Sequence, residues 1–389
     1  MDERALAERL ITYDTSTPDG IRSAAGFVKG WMDSVELDVQ ATDYNGLPVL
    51  TATVGDPASP SPTVILHGHI DVVPGFAEQF VPRVEGERLI GRGAYDMKGG
   101  LAAIMCALRE LKDLRGARVR FVCAPDEESE DFDRHATDDL VARGLTGDFA
   151  ITGEPTDLHV GVQAKGVLMI RLAVHGRAAH GSTPWLGDNA ILKAIDVFRR
   201  IETMPFAAES TEMFDRPSIN LGRLNAGDAV NKVPDEAVMA VDIRYLPGQE
   251  PGAILEQIRA IGGVEVVKTF IRPPAHVSRL NPYVTALCAA VRRAGQSGAM
   301  GVGRDGASDA ISFIEAGVPA VEFGPVGGGH HGPEEWVSIP SLARYKQALV
   351  EFMHAVPELA RGADRGLRAV EGGRSSGGAR SGGERSETG

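Results

Sequence analysis

Three cysteines in 389 residues, Cys106, Cys123 and Cys288, are too few and too widely spaced for a disulfide framework. They sit inside apolar runs without the spacing of a thiolate metal site, which leads to the expectation of reducing, cytoplasmic surroundings. No apolar run approaches the roughly 18–20 residues of a membrane span, so an integral membrane protein is excluded. The opening MDERALAERL carries acids and no apolar core, so neither a secretory nor a transit peptide is expected. Positive charge is in deficit: 40 Lys and Arg face 53 Asp and Glu, a net charge of −13 at pH 7. That balance argues against nucleic acid or an anionic membrane as the main partner. Aromatic residues make up 6% of the chain, and Trp31, Trp185 and Trp336 read as packing residues rather than a stacking platform.

The rest of the composition is ordinary. Hydrophobic residues are 43% and charged ones 24%, which excludes wholesale disorder. The length predicts two or three domains, each with its own core. From Arg361 onward nine glycines, six arginines and four acids replace the apolar residues, so 361–389 reads as a solvated, disordered tail.

Residues 1–165 alternate buried strands with helical patterns. Thr63–Leu66 and Val119–Cys123 are short apolar strands, and Lys98–Lys112 carries Leu101, Ile104, Met105, Leu108 and Leu111 at helical spacing. Across 166–273 the order becomes strand (167–174), helix (188–202), strand (217–225), strand (236–245), helix (251–261), strand (264–271). That βαββαβ order is ferredoxin-like, a unit that inserts into a loop of another domain. Helix and strand alternate again over 274–360: Pro282–Ala294 helical, Ala307–Ala316 helical, Pro319–Phe323 a strand, Pro340–Ala355 helical. The expected fold is therefore α/β, with a two-segment catalytic domain built on a mixed sheet flanked by helices and interrupted by a smaller inserted domain.

Chemistry-bearing residues cluster after the strands. His69 and Asp71 follow Thr63–Leu66 and project together if strand geometry persists, which lets the carboxylate hold the imidazole. Asp96 stands in GRGAYDMKGG just before a helix, where an N-cap would be the ordinary role. Its flanking glycines, however, let backbone approach a site closely. Glu127 and Glu128 follow Val119–Cys123, and adjacent carboxylates repel unless cations hold them or solvent separates them. Glu154, in TGEPT, ends the apolar run 149–151. His330 and His331 follow the strand Pro319–Phe323 and a glycine-rich loop. Each motif has a bland reading, yet all fall on the rim of an open α/β sheet where sites form. His and carboxylate ligands converging there suit a two-metal hydrolytic centre.

These segments resemble the metallopeptidase family of acetylornithine deacetylases, succinyl-diaminopimelate desuccinylases and glutamate carboxypeptidases, over about residues 1–360. The resemblance implies two divalent ions, zinc foremost with cobalt or manganese as alternatives, sharing Asp96. It implies His69 as ligand of one ion with Asp71 behind it, Glu128 and Glu154 on different ions, and His331 as the closing ligand. His331 rather than His330 matches the family spacing of His, three residues, Glu, completed by Glu335. Glu127 corresponds to the general base. His180, in GRAAHGSTP, corresponds to a residue that reaches across a homodimer to steady the oxyanion. Asn231, Arg244 and Ser308 correspond to substrate-binding segments. For Arg244 an ion pair with Asp242 is an equal reading, and Ala307 replaces the usual Thr before Ser308.

The function implied is hydrolysis of the amide of a small N-acyl amino acid, of the desuccinylase or deacetylase type. A dipeptidase, carboxypeptidase or aminoacylase of the same fold is the alternative, and an inactive metal-bearing binding module is a second from another class. Gly301-Val-Gly303-Arg-Asp-Gly306 is a literal G-x-G-x-x-G. A dinucleotide fingerprint needs a strand before it, and the preceding segment is helical.

Overall fold

The computed structural model describes residues 1–58, 61–129, 134–295 and 301–375, with side chains to residue 359. Its main body is one mixed nine-stranded sheet. Eight strands run in the order Val39–Tyr44, Leu47–Gly55, Arg118–Ala124, Thr63–His69, Phe149–Thr152, Ala320–Glu322, Val160–Ala164 and Ala275–His276, and Gly301–Arg304 pairs with Val160–Ala164. Thr63–His69 is parallel to both Arg118–Ala124 and Phe149–Thr152, and Ala320–Glu322 is parallel to Phe149–Thr152. Four strands therefore end on the same rim.

Both faces of Thr63–His69 are buried, which explains its unbroken apolar reading. Val64 and Leu66 join the larger core, built with Lys98–Leu111 and the start of Ile339–Ser375. Ile65 faces the other way, onto Val122, Ala150 and Phe313. At the sheet's edge the Asn45-Gly46 turn, with both residues at positive φ, closes the hairpin of its first two strands.

Residues Gly166–Arg272 form a second, four-stranded antiparallel sheet in the order Ser218–Ala226, Glu236–Tyr245, Gly166–His175, Val264–Arg272. Strict alternation divides it. Leu168, Ile170, Leu172 and Val174, with Met239, Val241 and Ile243, pack against the helices Ala190–Ile201 and Pro251–Arg259 in a core of their own. The other face is turned to the rim of the main sheet and carries Met169, Arg171, Asp242 and Arg244.

The expected α/β fold with a mixed sheet and flanking helices is present, and three readings need correction. Trp185 is 75% exposed, so it is a surface residue and not a packing one. The helix expected over Ala307–Ala316 begins only at Ala310, because Ser308 and Asp309 turn their side chains into hydrogen bonds instead. The last helix runs Ile339–Ser375, beyond Arg361, where the solvated tail was expected. It starts from a docked segment, so propagation needs no new nucleus. Residues 376–389 of that expected tail lie outside the described residues. Among the described residues no helix is long and apolar enough to cross a membrane.

Candidate metal centre

The rim gathers His69, Glu127, Glu128 and Glu154, which end or follow strands of the main sheet, and Asp96, which stands at the entrance of the helix Lys98–Leu111. Two glycines close the gap between neighbouring segments. A Cβ on Gly100 would lie 2.6 Å from the Gly153 carbonyl oxygen, and one on Gly153 would lie 2.5 Å from Met97 Cε. With no side chain at either, the helix carrying Asp96 at its entrance sits directly against the strand that delivers Glu154. The N-cap position is Met97 and has no side-chain cap, so Asp96 is not a helix cap.

Asp96 lies at the centre of the cluster. Its Oδ1 is 3.1 Å from His69 Nε2, while Oδ2 is 3.4 Å from His331 Nε2 and in contact with His330 Nε2. On the first side Glu154 Oε2 is 3.9 Å from His69 Nε2. On the second, His331 Nε2 is 2.9 Å from Glu128 Oε1. Three groups have ligand atoms within 4.8 Å of one another: His69, Asp96 and Glu154; Asp96, His330 and His331; and His69, Glu127 and Glu128. Both His330 and His331 reach Asp96, so the structure does not separate the two imidazoles as the spacing did.

Asp71 has two tasks, only one of them legible in the sequence. Its backbone oxygen is 3.0 Å from His69 Nδ1 and its Oδ1 is 3.4 Å away, which orients the imidazole. The same carboxylate accepts from the backbone N–H of Glu127 at 3.2 Å and of Glu128 at 2.8 Å. It thereby ties two acids to the histidine one strand away.

Carboxylates and imidazoles crowded at this rim perturb one another. Burial, and then the charge of Glu154, pushes Glu127 well above the usual carboxylate value. Burial does the same to Glu154. Against the pull of burial, hydrogen bonds from His330, His331 and His69 hold Asp96 well below it. Hydrogen bonds to Asp96 and Glu128 raise His331 to about 10. Glu154 Oε1 is buried with no hydrogen-bond partner, which buried polar atoms rarely tolerate. Four carboxylates and three imidazoles with an orphaned oxygen fit divalent ions of the zinc, manganese or cobalt type.

Beneath the cluster lie residues the sequence reading passed over. Glu335 is 1% exposed; its Oε2 accepts from Arg92 Nη1 at 2.8 Å and its Oε1 from the backbone N–H of Tyr95 and Asp96, both at 3.0 Å. Arg92 Nη2 donates to the His331 carbonyl at 3.2 Å. Asp309, almost fully buried, gathers His67, His135 and Thr137 behind the Glu127 loop. Lys98 is fully buried, donates to the Tyr13 carbonyl at 2.8 Å, and is lowered by burial to about 7. Among these, only Glu335 left a trace in the sequence, as the closing residue of the His331 spacing.

A cavity of about 550 Å³ separates the cluster from the open face of the smaller sheet. Arg244 lines it, but its Nε is held by both oxygens of Asp242 at 3.0 and 3.1 Å, the ion pair the sequence offered as the equal reading. Ser308 lines it too, with its hydroxyl donated to Glu322 Oε1 at 2.9 Å. His180 and Asn231 do not line it: both are exposed on the smaller sheet's unit, where Gly181 N donates to the Asn231 carbonyl at 2.7 Å. A backbone bridge between the segments 180–181 and 231–232 holds them near each other.

Comparison with known proteins places the chain in a family. The profile described as peptidase family M20/M25/M40 matches residues 65–355. A succinyl-diaminopimelate desuccinylase of Gluconobacter oxydans (strain 621H) is 30% identical over 375 residues, covering 90% of this chain and 97% of the relative. A probable carboxypeptidase of Aspergillus terreus (strain NIH 2624 / FGSC A1156) is 32% identical over 201 residues, covering 49% of this chain and 46% of the relative. Among solved structures, an M20 family metallo-carboxypeptidase from Sulfolobus solfataricus superposes with a TM-score of 0.76 at 19% identity, covering 92% of this chain and all of that one.

Proposed function

Because the chain belongs to peptidase family M20/M25/M40 and is a metal-dependent amide hydrolase, we propose that it removes the acyl group from an N-acyl amino acid, foremost N-succinyl-L,L-diaminopimelate. The observation that carries this reading is the division of Asp96, whose two oxygens face His69 on one side and His331 on the other. A carboxylate so placed serves two cations at once. The desuccinylase from Gluconobacter oxydans, matched along nearly its whole length, supports the choice of substrate.

In this reading His69, Asp96 and Glu154 would hold one ion, and Asp96, Glu128 and His331 would hold the other, zinc being the first choice of metal. When bound, the ions supply Lewis-acid charge to polarise the amide carbonyl and to acidify water. Glu127 lines the cavity and is held by its backbone N–H to Asp71, ready to take a proton from the attacking water. The oxygen joins the amide carbon and the C–N bond breaks. Glu127 then returns the proton to the leaving nitrogen, and the proton left on the new carboxyl group passes to the amine, giving a carboxylate and an ammonium. Burial, the largest cause, raises its basicity, which suits a proton-accepting role.

A homodimer belongs to the same proposal. The helix Ala190–Ile201 turns Leu192 and Ile195 outward, 66% and 44% exposed, close in sequence to exposed Trp185 and Leu186. Ser218–Ala226 is an unpaired sheet edge. Pairing two copies there would cover apolar surface and give His180 and Asn231 a site to serve in the partner. The cytoplasm is the compartment that fits three free thiols.

The second reading is a carboxypeptidase, favoured by the 32% identity to the Aspergillus terreus protein. Amine release separates the two. Zinc-loaded protein is offered N-succinyl-L,L-diaminopimelate, N-acetylornithine and simple dipeptides, with and without chelator. Chelator-sensitive release from the succinyl compound is expected. Release only from dipeptides would give the carboxypeptidase reading its place.

A further inference from the structure

The glycine-rich run 301–306 has no part in the chemistry above, yet its first four residues form the strand Gly301–Arg304, parallel to Val160–Ala164. Gly161 in that neighbouring strand leaves a notch. A Cβ there would lie 2.7 Å from Arg304 Cγ and 3.2 Å from Glu322 Cβ. Any side chain at 161 would displace the arginine, and with glycine its stem lies flat across the strand.

The guanidinium is then fixed from behind. Its Nε donates to Glu322 Oε2 at 3.2 Å and Nη2 donates to the Pro155 carbonyl, next to the cluster residue Glu154. Glu322 is 5% exposed and accepts from Ser308 Oγ through its other oxygen at 2.9 Å. These contacts engage Nε and Nη2. Among the described residues Nη1 has no protein acceptor, and the side chain, 27% exposed, borders the cavity. Arg171 and Arg223, paired on either side of Ala240, line the same cavity from the facing sheet. A rigid, oriented guanidinium with one nitrogen turned to a cavity is suited to a carboxylate.

We propose that Arg304 is the specificity-determining residue that receives the second carboxylate of a dicarboxylic acyl group, so that the cavity selects succinyl-type amides over neutral acyl amides. The inference rests on the amide-hydrolase reading of the adjacent cluster. A guanidinium that only neutralised Glu322 would affect every substrate alike, and this difference supplies the test.

The zinc-loaded full-length chain and its R304M, R304K and G161A variants are compared on N-succinyl- and N-butanoyl-L,L-diaminopimelate, two amides equal in length and different in terminal charge. Circular dichroism checks folding. Wild type should favour the succinyl amide, and R304M should reduce the succinyl-to-butanoyl ratio of kcat/KM roughly 10- to 100-fold, chiefly through KM. R304K keeps charge without the fork and should restore part of the ratio. G161A keeps Arg304 but displaces it, and should lower the ratio in the same direction. Should R304M fail to fold, R304K and G161A decide. An unchanged ratio in the folded variants, or a wild type indifferent to the terminal charge, overturns the proposal. If wild type cleaves neither amide, the desuccinylase reading falls, and calorimetric binding of succinate against butanoate still decides the role of Arg304. Succinate preference lost in R304M upholds it, and equal preference in both proteins overturns it.

Discussion

Arg92 and Glu335 stand 243 residues apart and meet in a buried ion pair of 2.8 Å beneath the candidate metal centre. Each also grips a segment that carries a cluster residue. Glu335 accepts from the backbone N–H of Asp96, and Arg92 donates to the carbonyl of His331. His331 holds a left-handed backbone, φ 57°, which a non-glycine residue keeps only when its surroundings impose it. The pair thus sets the distance between the central carboxylate and the histidine that closes the cluster.

Glu335→Gln should weaken zinc binding roughly 10- to 100-fold while the fold is kept, because the outer partners of a metal site orient its ligands. Competition with a chelating dye measures the affinity. It should also cost about 3–5 kcal/mol of unfolding free energy, since Arg92 would be left buried without its counter-charge. Unaltered zinc affinity would show that the pair merely braces the loop.

Glu127→Gln should lower kcat by about 10²–10⁴ with close to two metals per chain still bound, as removal of a general base does. Metal analysis and steady-state rates on the same sample check both halves. Retained activity would move the base to another residue, and lost metal would make Glu127 a ligand.

Leu192→Glu combined with Ile195→Glu should convert a dimer to a monomer in sedimentation and abolish most activity. The substituted positions lie on the exposed side of the helix Ala190–Ile201, so the chain's own core should be unaffected. A fully active monomer would refute both the dimer and the service of His180 across it.

Asp138 joins the two sheets' units through Arg272, with Ser312 donating to its Oδ1 at 2.7 Å. Burial opposes its ionisation, but the hydrogen bonds of Arg272 and Ser312 prevail and hold it below the ordinary 3.8. A carboxylate depressed in the folded state stabilises above its unfolded value and loses that contribution as pH falls through the folded one. Asp138→Asn should therefore reduce stability by about 1–3 kcal/mol, equally throughout the neutral range. The deficit should narrow only in acid, below about pH 4. Urea unfolding across pH measures it, and a deficit that varied between neutral and mildly acidic pH would assign the effect to another group.

The local elements were legible for local reasons. Helical spacing predicted Lys98–Lys112, one residue past the observed end at Leu111, because that pattern is a property of neighbours in sequence. The Asn45-Gly46 hairpin carried an equally local signal that was not read. The last helix outran its expected end because propagation from docked residues depends on tertiary contact that composition does not record.

The site divides along the same line. His69, Asp96, Glu127, Glu128, Glu154 and His331 could be listed from the sequence because strand ends on a parallel sheet share a rim. Which atoms face each other could not be read there. The division of Asp96 between two sets of nitrogens, the closer approach of His330 than of His331 to its Oδ2, and the pairing of Arg244 with Asp242 depend on side-chain directions. So do the links from Arg92 to Glu335 and from Arg304 to Glu322, which join segments distant in the chain. Sequence alone determined the elements, the acidic and imidazole inventory and the family's chemistry. The tertiary structure decided which charges are matched, because matching requires burial and contact between residues whose order in the chain says nothing of their distance.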